Sequence, residues 1–262
     1  MLRKLLKYDL KSKLPFLCIF YGLAIGCAVL ARVFLIFSEV PILNIIGQIF
    51  SGAAISMMFN ILINNTLRSW GLFRQNIYGD PSYLTHTLPV RKTDLYLSKA
   101  LDGLLTLFLS FGVVGLALFI LYYETKLWTM AGAFLQIISG GRPYMAALLI
   151  IGCLFLEVVN MLQCGFTGLI LGHKMNKGKI GYSVLAGLGV YILVSLLVFA
   201  VVGVTALFND SVKQLFLNVQ TQTVLMEDLW LLLAICCATY AVLIVATYFV
   251  NVKLLNQGVN VD

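Results

Sequence analysis

Length, composition and charge together exclude a soluble globular protein. The chain has 262 residues, of which 61% are hydrophobic and only 11% are charged, and its mean hydropathy is +0.97. A soluble domain of this size needs a far more polar surface. The composition therefore predicts an integral membrane protein.

The first 13 residues combine leucines at helical spacing with a basic face. This pattern predicts an amphipathic helix over residues 1–13 that lies in an anionic lipid surface, and basic flanking charge is the simpler alternative. The apolar stretch that follows is too long for a secretory signal, so we expect the segment to be retained. The basic face comprises Arg3, Lys4, Lys7, Lys11 and Lys13.

Six apolar runs follow, each long enough to cross a hydrocarbon core of about 30 Å as a helix. Each run is continuously apolar rather than alternating, which favours helices over a barrel. We therefore expect an all-α integral membrane protein of six transmembrane helices, forming one domain over residues 1–262. The runs cover residues 14–37, 42–63, 100–123, 144–171, 183–208 and 229–250. Two GxxxG spacings, Gly22–Gly26 and Gly168–Gly172, predict close helix packing.

Lysine and arginine are distributed unevenly along this topology. If the N-terminus is cytoplasmic, only four of the 18 basic residues fall on the outer side. An excess of this size on the inner loops predicts that both termini are cytoplasmic. The net charge of +7 then reflects topology and lipid contact rather than nucleic-acid binding. The four outer residues are Arg32, Lys126, Arg142 and Lys213.

Motifs for catalysis, metals or cofactors are scarce. All six cysteines lie within predicted spans and none forms a CxxC pair, so we expect neither disulfides nor a zinc site. The run GHKMNKGKI departs from a phosphate-binding loop, because five residues separate Gly172 from Gly178 and Ile180 replaces the Ser or Thr that binds magnesium. We therefore expect no enzymatic activity and no cofactor on this chain.

The segment between the second and third spans, residues 64–99, is unusually polar and organised. Its first part is predicted to be an amphipathic helix, with Trp70, Phe73 and Ile77 on one face, that ends at Gly79. A second, short helix is predicted after it. Asp80 is placed as its N-cap with Pro81 at the first helical position, and Pro89 stops it. Thr93 or Asp94 is expected to cap the third span.

The run YGDPSYLTHTLPVRKTDLYLSKAL, which begins at Tyr78, resembles a segment of bacterial type-2 ATP-binding-cassette (ABC) transporter permeases. In that family a Gly-Asp turn is followed by Tyr-Leu, Thr-Leu-Pro-Val and a Ser-Lys that opens the next helix. Six spans, cytoplasmic termini and a basic N-terminal helix agree with the family over the whole chain. Pro81-Ser82 departs from it, since a glutamate and a small residue are expected there.

The resemblance implies that this segment is a coupling element that seats in a groove of a separate nucleotide-binding subunit. It implies a transporter of two permease chains, identical or homologous, and two ATPase chains, which would bind ATP and magnesium. The alternative is that the segment only caps and packs its own loop. The contacts implied by the resemblance are Tyr78, Asp80, Tyr83, Leu84, Leu88 and Pro89.

Polar residues inside the predicted spans suggest a pathway for cargo. Glu157 lies near the middle of the fourth span, and Asn160 follows it on the same helical face. Asn44 and Gln48 form a similar stripe in the second span. A carboxylate in lipid is costly and normally faces a partner or a water-filled cavity. Lining of a translocation pathway and hydrogen bonding between helices both remain open.

Two functions from different classes fit these features. The first is the permease subunit of a bacterial ABC exporter in the cell membrane, moving an amphipathic or peptide-like substrate outward. The second is a self-sufficient secondary transporter that is driven by protonation of Glu157. Such carriers are expected to show inverted repeats or helices broken by Gly or Pro, and the sequence shows neither.

The charge distribution generates a prediction about topology. Reporters fused after Lys177 or Asp262 should be cytoplasmic, whereas reporters fused after Lys126 or Asp210 should be external, because basic loops are retained inside. Paired phosphatase and fluorescent-protein fusions measure this directly. An external C-terminus would contradict the arrangement of six spans.

Overall fold

A computed structural model describes residues 2–37, 39–79, 91–123, 129–133, 143–175, 178–208, 213 and 227–257. Six long helices are present, and no strand occurs in these ranges. All six helices contain a stretch long and apolar enough to cross a membrane. The chain is therefore an all-α multi-pass membrane protein, as its composition predicts. The helices are α1 (Leu2–Ile36), α2 (Pro41–Tyr78), α3 (Lys92–Tyr122), α4 (Pro143–Gly172), α5 (Lys179–Phe208) and α6 (Glu227–Asn256).

Helix α2 is much longer than a membrane crossing requires. Its 38 residues correspond to about 57 Å, compared with about 30 Å for the hydrocarbon core. The apolar run 42–63 forms its first part, and about 22 Å of helix then continues to Tyr78. Gly79 follows as the C-cap. The helix predicted to leave the second span and to end at Gly79 is therefore confirmed.

Helices α1 and α3 also extend beyond their apolar runs, which corrects two predictions. Residues 2–13 do not form a separate surface helix, because they continue into the first span as one helix that contains Pro15. Helix α3 begins at Lys92, ahead of its apolar run 100–123. Its N-cap is Arg91, which makes no side-chain capping bond. The expected cap at Thr93 or Asp94 is therefore wrong, since both residues lie inside the helix.

The helices form two three-helix units. In the first unit, α1 packs against both α2 and α3, and α2 also packs against α3. One cluster of its buried apolar residues consists of Ala28, Ala54, Met58 and Ala117. The three alanines allow the helix backbones to approach closely there, which is how helices associate in lipid.

In the second unit, α4 packs against both α5 and α6. A Cβ atom added at Gly168 would lie 2.5 Å from the Cα of Gly187, and one added at Gly172 would overlap the backbone of Ser183. The close packing predicted for Gly168–Gly172 is therefore confirmed, and it joins α4 to α5. The same prediction is wrong for Gly22–Gly26, where an added Cβ would meet nothing within 4 Å at either glycine.

The contact between α4 and α5 predicts a selective effect of adding one methyl group. Gly168→Ala should destabilise the protein by about 1–3 kcal/mol, because the new Cβ forces the two backbones apart. Gly152→Ala is the matched control on the same helix, since its Cβ would meet nothing within 4 Å. Thermal unfolding in detergent compares the two variants. Equal melting temperatures would contradict the close approach.

Candidate coupling and transport sites

Two ion pairs connect α1 to α3 at the end of the first unit that holds residues 2, 78 and 92. The sequence predicts that this end is cytoplasmic, and we call it the inner end. Lys99 Nζ lies 2.5 Å from Asp9 Oδ1, and the Ser98 hydroxyl donates to Asp9 Oδ2 at 3.1 Å. Lys13 Nζ lies 3.5 Å from Asp102 Oδ2. These are the only ion pairs between residues that the structure describes. They neutralise four charges within one helix bundle.

Lys13 is the centre of this arrangement. Its side chain is fully buried, and besides Asp102 it donates to Ser69 Oγ at 2.5 Å and to Thr106 Oγ1 at 2.6 Å. An ammonium group has three protons, and here each has an acceptor, which offsets part of the cost of its burial. The prediction that Lys13 belongs to a lipid-facing basic face is therefore wrong. The other members of that face are exposed: Arg3, Lys4, Lys7 and Lys11.

The hydrogen bonds continue along the bundle beyond the ion pairs. Thr106 donates to Asn65 Oδ1 at 3.0 Å, and Asn65 Nδ2 donates to Ser110 Oγ at 2.9 Å. The Tyr21 hydroxyl shares a hydrogen bond of 2.9 Å with Ser110 Oγ. From residue 9 to residue 21 of α1, the bonded groups extend over about 18 Å. We call this set the inner polar cluster: Asp9, Lys13, Tyr21, Asn65, Ser69, Ser98, Lys99, Asp102, Thr106 and Ser110.

The sequence analysis missed the inner polar cluster, although a periodic signal for it exists in α3. Lys99, Asp102, Thr106 and Ser110 follow one another at i, i+3, i+7 and i+11. This spacing places four polar side chains on one face of an apolar helix. Such a face in lipid indicates contact with another polar surface.

The predicted coupling segment is flanked by packed residues at the end of α2 and at the start of α3. At its start, Tyr78 closes α2 and is half-buried. Phe73 of α2 and Tyr96 of α3 meet edge-to-face with ring centroids 6.1 Å apart, and both rings are fully buried. The remaining predicted contacts lie outside the described residues and stay predictions: Asp80, Tyr83, Leu84, Leu88 and Pro89. The short helix expected from Asp80 to Pro89 also lies there.

The predicted pathway residues of α2 have no partner on another described helix. Gln48 Nε2 donates to Asn44 Oδ1 at 3.3 Å, and the Ser51 hydroxyl donates to the Gln48 carbonyl at 2.8 Å. All these bonds stay within α2. The side chain of Gln48 is exposed and that of Asn44 is partly exposed. Hydrogen bonding between described helices therefore does not account for this stripe.

Glu157 lies on α4, which packs against both other helices of the second unit. The Tyr191 hydroxyl of α5 donates to Glu157 Oε1 at 3.3 Å. On α6, the Cys237 thiol donates to the Leu149 carbonyl of α4 at 3.6 Å, and Tyr240 lies one turn further along the same face. The side chains of Glu157, Tyr191 and Tyr240 are partly exposed. A carboxylate of α4 and a phenol of α5 thus meet, and a second phenol lies on the face of α6 that contacts α4.

The other polar residues of α4 divide between two roles. Asn251 of α6 donates to the Gln163 carbonyl at 3.4 Å, and Thr167 donates to the same carbonyl at 3.0 Å. These bonds join or stabilise helices. Asn160, which is fully buried, accepts a weak bond from Cys164, but its Nδ2 has no partner among the described atoms. Helix packing therefore explains only part of the polar face of α4.

Comparison with known proteins finds no relative, since no family model, no curated protein and no solved structure matches the chain. The fold and these sites define a multi-pass membrane protein built from two three-helix units. One unit has its buried charges paired internally. The other presents an acidic group on α4 that has no cationic partner in the described ranges.

The buried ion pair predicts a large cost for removing one partner alone. Lys13→Met should destabilise the protein by about 3–5 kcal/mol, because Asp102 would remain charged and unpaired in the bundle. The double variant Lys13→Met, Asp102→Leu should recover most of that loss. Denaturant unfolding in detergent measures both.

Lys11→Met is the matched control, since Lys11 is exposed on the same helix. A surface substitution of this kind should change stability by about 0.5 kcal/mol or less. If Lys13→Met costs no more than Lys11→Met, the buried pair does not stabilise the unit.

Proposed function

We propose that this chain is the membrane-spanning permease subunit of a bacterial ABC exporter. In this proposal both termini are cytoplasmic, and the chain pairs with a second permease chain, identical or homologous, in the cell membrane. Two copies of a separate ATPase subunit bind ATP and magnesium and hydrolyse the ATP. The cargo is amphipathic or peptide-like and moves outward. The chain itself has no catalytic role and no role in nucleic-acid binding.

The observation that carries the proposal is the polar segment that begins YGDPSYL at Tyr78, together with the base on which it is mounted. A coupling element must transmit displacement, which requires a stiff support. The ring contact between Phe73 and Tyr96 holds the helices on either side of the segment together. The ion pair between Asp9 and Lys99 adds α1 to the same support.

Helix α2 provides a direct mechanical connection between the two predicted sites. It is continuous from Pro41 to Tyr78, so Gln48 and Tyr78 lie about 45 Å apart on one rod. A displacement at Tyr78 would therefore move the exposed polar stripe at Asn44 and Gln48. This arrangement favours a protein in which energy is delivered at one end of α2 and cargo contacts the other.

A secondary transporter is the second candidate, and one observation favours it. Each unit consists of three helices, and in each the first helix packs against the other two. Carriers built from structural repeats have such equal halves. Glu157 would then bind the coupling proton. Against this reading, each of the six long helices is unbroken through its apolar stretch, whereas carriers of this kind use interrupted helices at their binding sites.

The decisive variant removes two predicted anchors of the coupling element. Tyr83→Ala, Leu84→Ala should insert and fold normally but lose its ATPase partner or uncouple hydrolysis from transport. A few buried side chains usually carry most of the energy of an interface. Partner recovery from membranes and ATP-driven transport in liposomes are the measurements.

A matched control removes a tyrosine and an aliphatic side chain on the predicted outer side. Tyr144 and Met145 are 88% and 62% exposed, and Tyr144→Ala, Met145→Ala should leave partner recovery and coupling unchanged. Wild-type partner recovery and coupled transport in the Tyr83, Leu84 variant would reject the coupling role. If the control variant also loses partner recovery and coupled transport, the effect is due to folding.

A further inference from the structure

The carboxylates of the long helices have different partners in the two units. In the first unit, Asp9 and Asp102 each face a lysine of the same bundle. In the second unit, Glu157 makes no ion pair with any described residue, and its described hydrogen bond comes from the neutral Tyr191 hydroxyl. An ionised group in a membrane span normally has a counter-charge or faces water. Among the described residues, Glu157 therefore has no counter-charge.

The three lysines on or next to the described helices of the second unit lie too far away to serve as this counter-charge. Lys174 follows Glu157 by 17 positions, about 25 Å along α4, and donates to Gln257 Oε1 at 3.0 Å. Lys179 precedes Tyr191 by about 18 Å on α5, and Lys253 follows Tyr240 by about 20 Å on α6. All three are near helix ends. No lysine on the described helices of this unit therefore pairs with Glu157.

The surroundings of Glu157 are suited to an organic cation. The Tyr191 hydroxyl of α5 binds the carboxylate, and Tyr240 lies on the face of α6 that contacts α4. Aromatic rings beside a carboxylate form the usual recognition site for ammonium groups, because the ring faces carry negative electrostatic potential. All three side chains are partly exposed, so a ligand can reach them. In the part of the chain that the structure describes, no group of three or more His, Cys, Asp or Glu side chains could hold a metal ion.

Asn160 adds a second observation at the same place. It lies one turn below Glu157 on α4 and is fully buried, yet its Nδ2 has no partner in the part of the chain that the structure describes. Buried amide groups are nearly always hydrogen-bonded. The Nδ2 of Asn160 can therefore still donate a hydrogen bond next to the carboxylate, as expected of a face that binds a ligand.

We infer that Glu157, Tyr191 and Tyr240 form a recognition site for the ammonium group of an amphipathic cation. The site assigns a substrate class, amphiphiles that carry a primary or quaternary amine, to the proposed transport function, on which this inference rests. Glu157 supplies the counter-charge and the tyrosines surround the nitrogen. The apolar surroundings of the spans accommodate the aliphatic part.

Binding of a cation and of its uncharged isostere tests this assignment. The purified full chain in zwitterionic nanodiscs is titrated with radiolabelled dodecyltrimethylammonium and with the neutral analogue in which carbon replaces nitrogen. Binding to empty nanodiscs is subtracted. The wild-type protein should bind the cation roughly tenfold more tightly, because only the cation pairs with Glu157. Equal affinity for the two probes overturns the inference.

Variants assign the preference to these residues. Glu157→Gln should abolish the preference for the cation while binding of the neutral analogue stays unchanged. Tyr240→Leu should weaken cation binding about fivefold, whereas Tyr182→Leu, at an exposed tyrosine of α5, should not. An unchanged preference in a folded Glu157→Gln protein overturns the site. If that variant does not fold, an unchanged preference in Tyr240→Leu overturns it instead.

The assay needs no ATPase, so its failure is distinct from failure of the proposed function. If the chain co-purifies with an ATPase but shows no preference for the cation, the exporter proposal stands and this inference is rejected. If the chain prefers the cation but has no ATPase partner, the exporter proposal is rejected, and the recognition site supports the secondary transporter.

Discussion

The architecture of the first unit depends on the neutralisation of four charges inside a helix bundle. Asp9 and Lys13 on α1 would be costly near lipid, and Lys99 and Asp102 on α3 equally so. The ion pairs offset the free-energy cost of burying each charge. They can form only while α1 and α3 keep their register. A shift of α1 by one turn against α3 would separate both pairs at once. The two pairs therefore specify how α1 packs against α3.

This constraint explains why the inner ends of three helices extend beyond the apolar spans. Asp9 and Lys13 of α1 pair with Lys99 and Asp102 of α3 instead of facing lipid. The extension of α2 joins them through Ser69, which accepts from Lys13. The outcome is a stiff base at the end where the predicted coupling segment is attached. The described part of the second unit contains no such base, because its charged residues lie near helix ends, apart from Glu157.

The sequence predicted the number and positions of the spans because each apolar run is long and uninterrupted. It predicted the end of α2 at Gly79, since a periodic apolar face stops there. It did not predict the pairing of Lys13 with Asp102, because the two residues are 89 positions apart and propensity carries no information about such distances. The basic pattern of residues 1–13 was assigned to a lipid surface for the same reason. Only the helix packing shows that one of its lysines points into a bundle.

The pathway residues were predicted with unequal success. Glu157 was identifiable as a carboxylate within an apolar run, but its neighbours Tyr191 and Tyr240 come from other helices and no local pattern connects them. The polar stripe at Asn44 and Gln48 was visible in the sequence, but its exposure could be determined only from the structure. GxxxG spacing permits close packing without requiring it, which is why Gly168–Gly172 packs closely and Gly22–Gly26 does not.

The central claim is that this chain depends on a separate ATPase for its energy. The most direct test is affinity purification of the full chain from the membranes of the cells that make it, followed by mass identification and quantification of every co-purifying protein. The account predicts one partner at a ratio of one per permease chain, with a nucleotide-binding sequence of the form GxxxxGK[ST]. Recovery of the chain without any such partner, together with cargo transport by the chain alone in liposomes under a proton gradient, would contradict it.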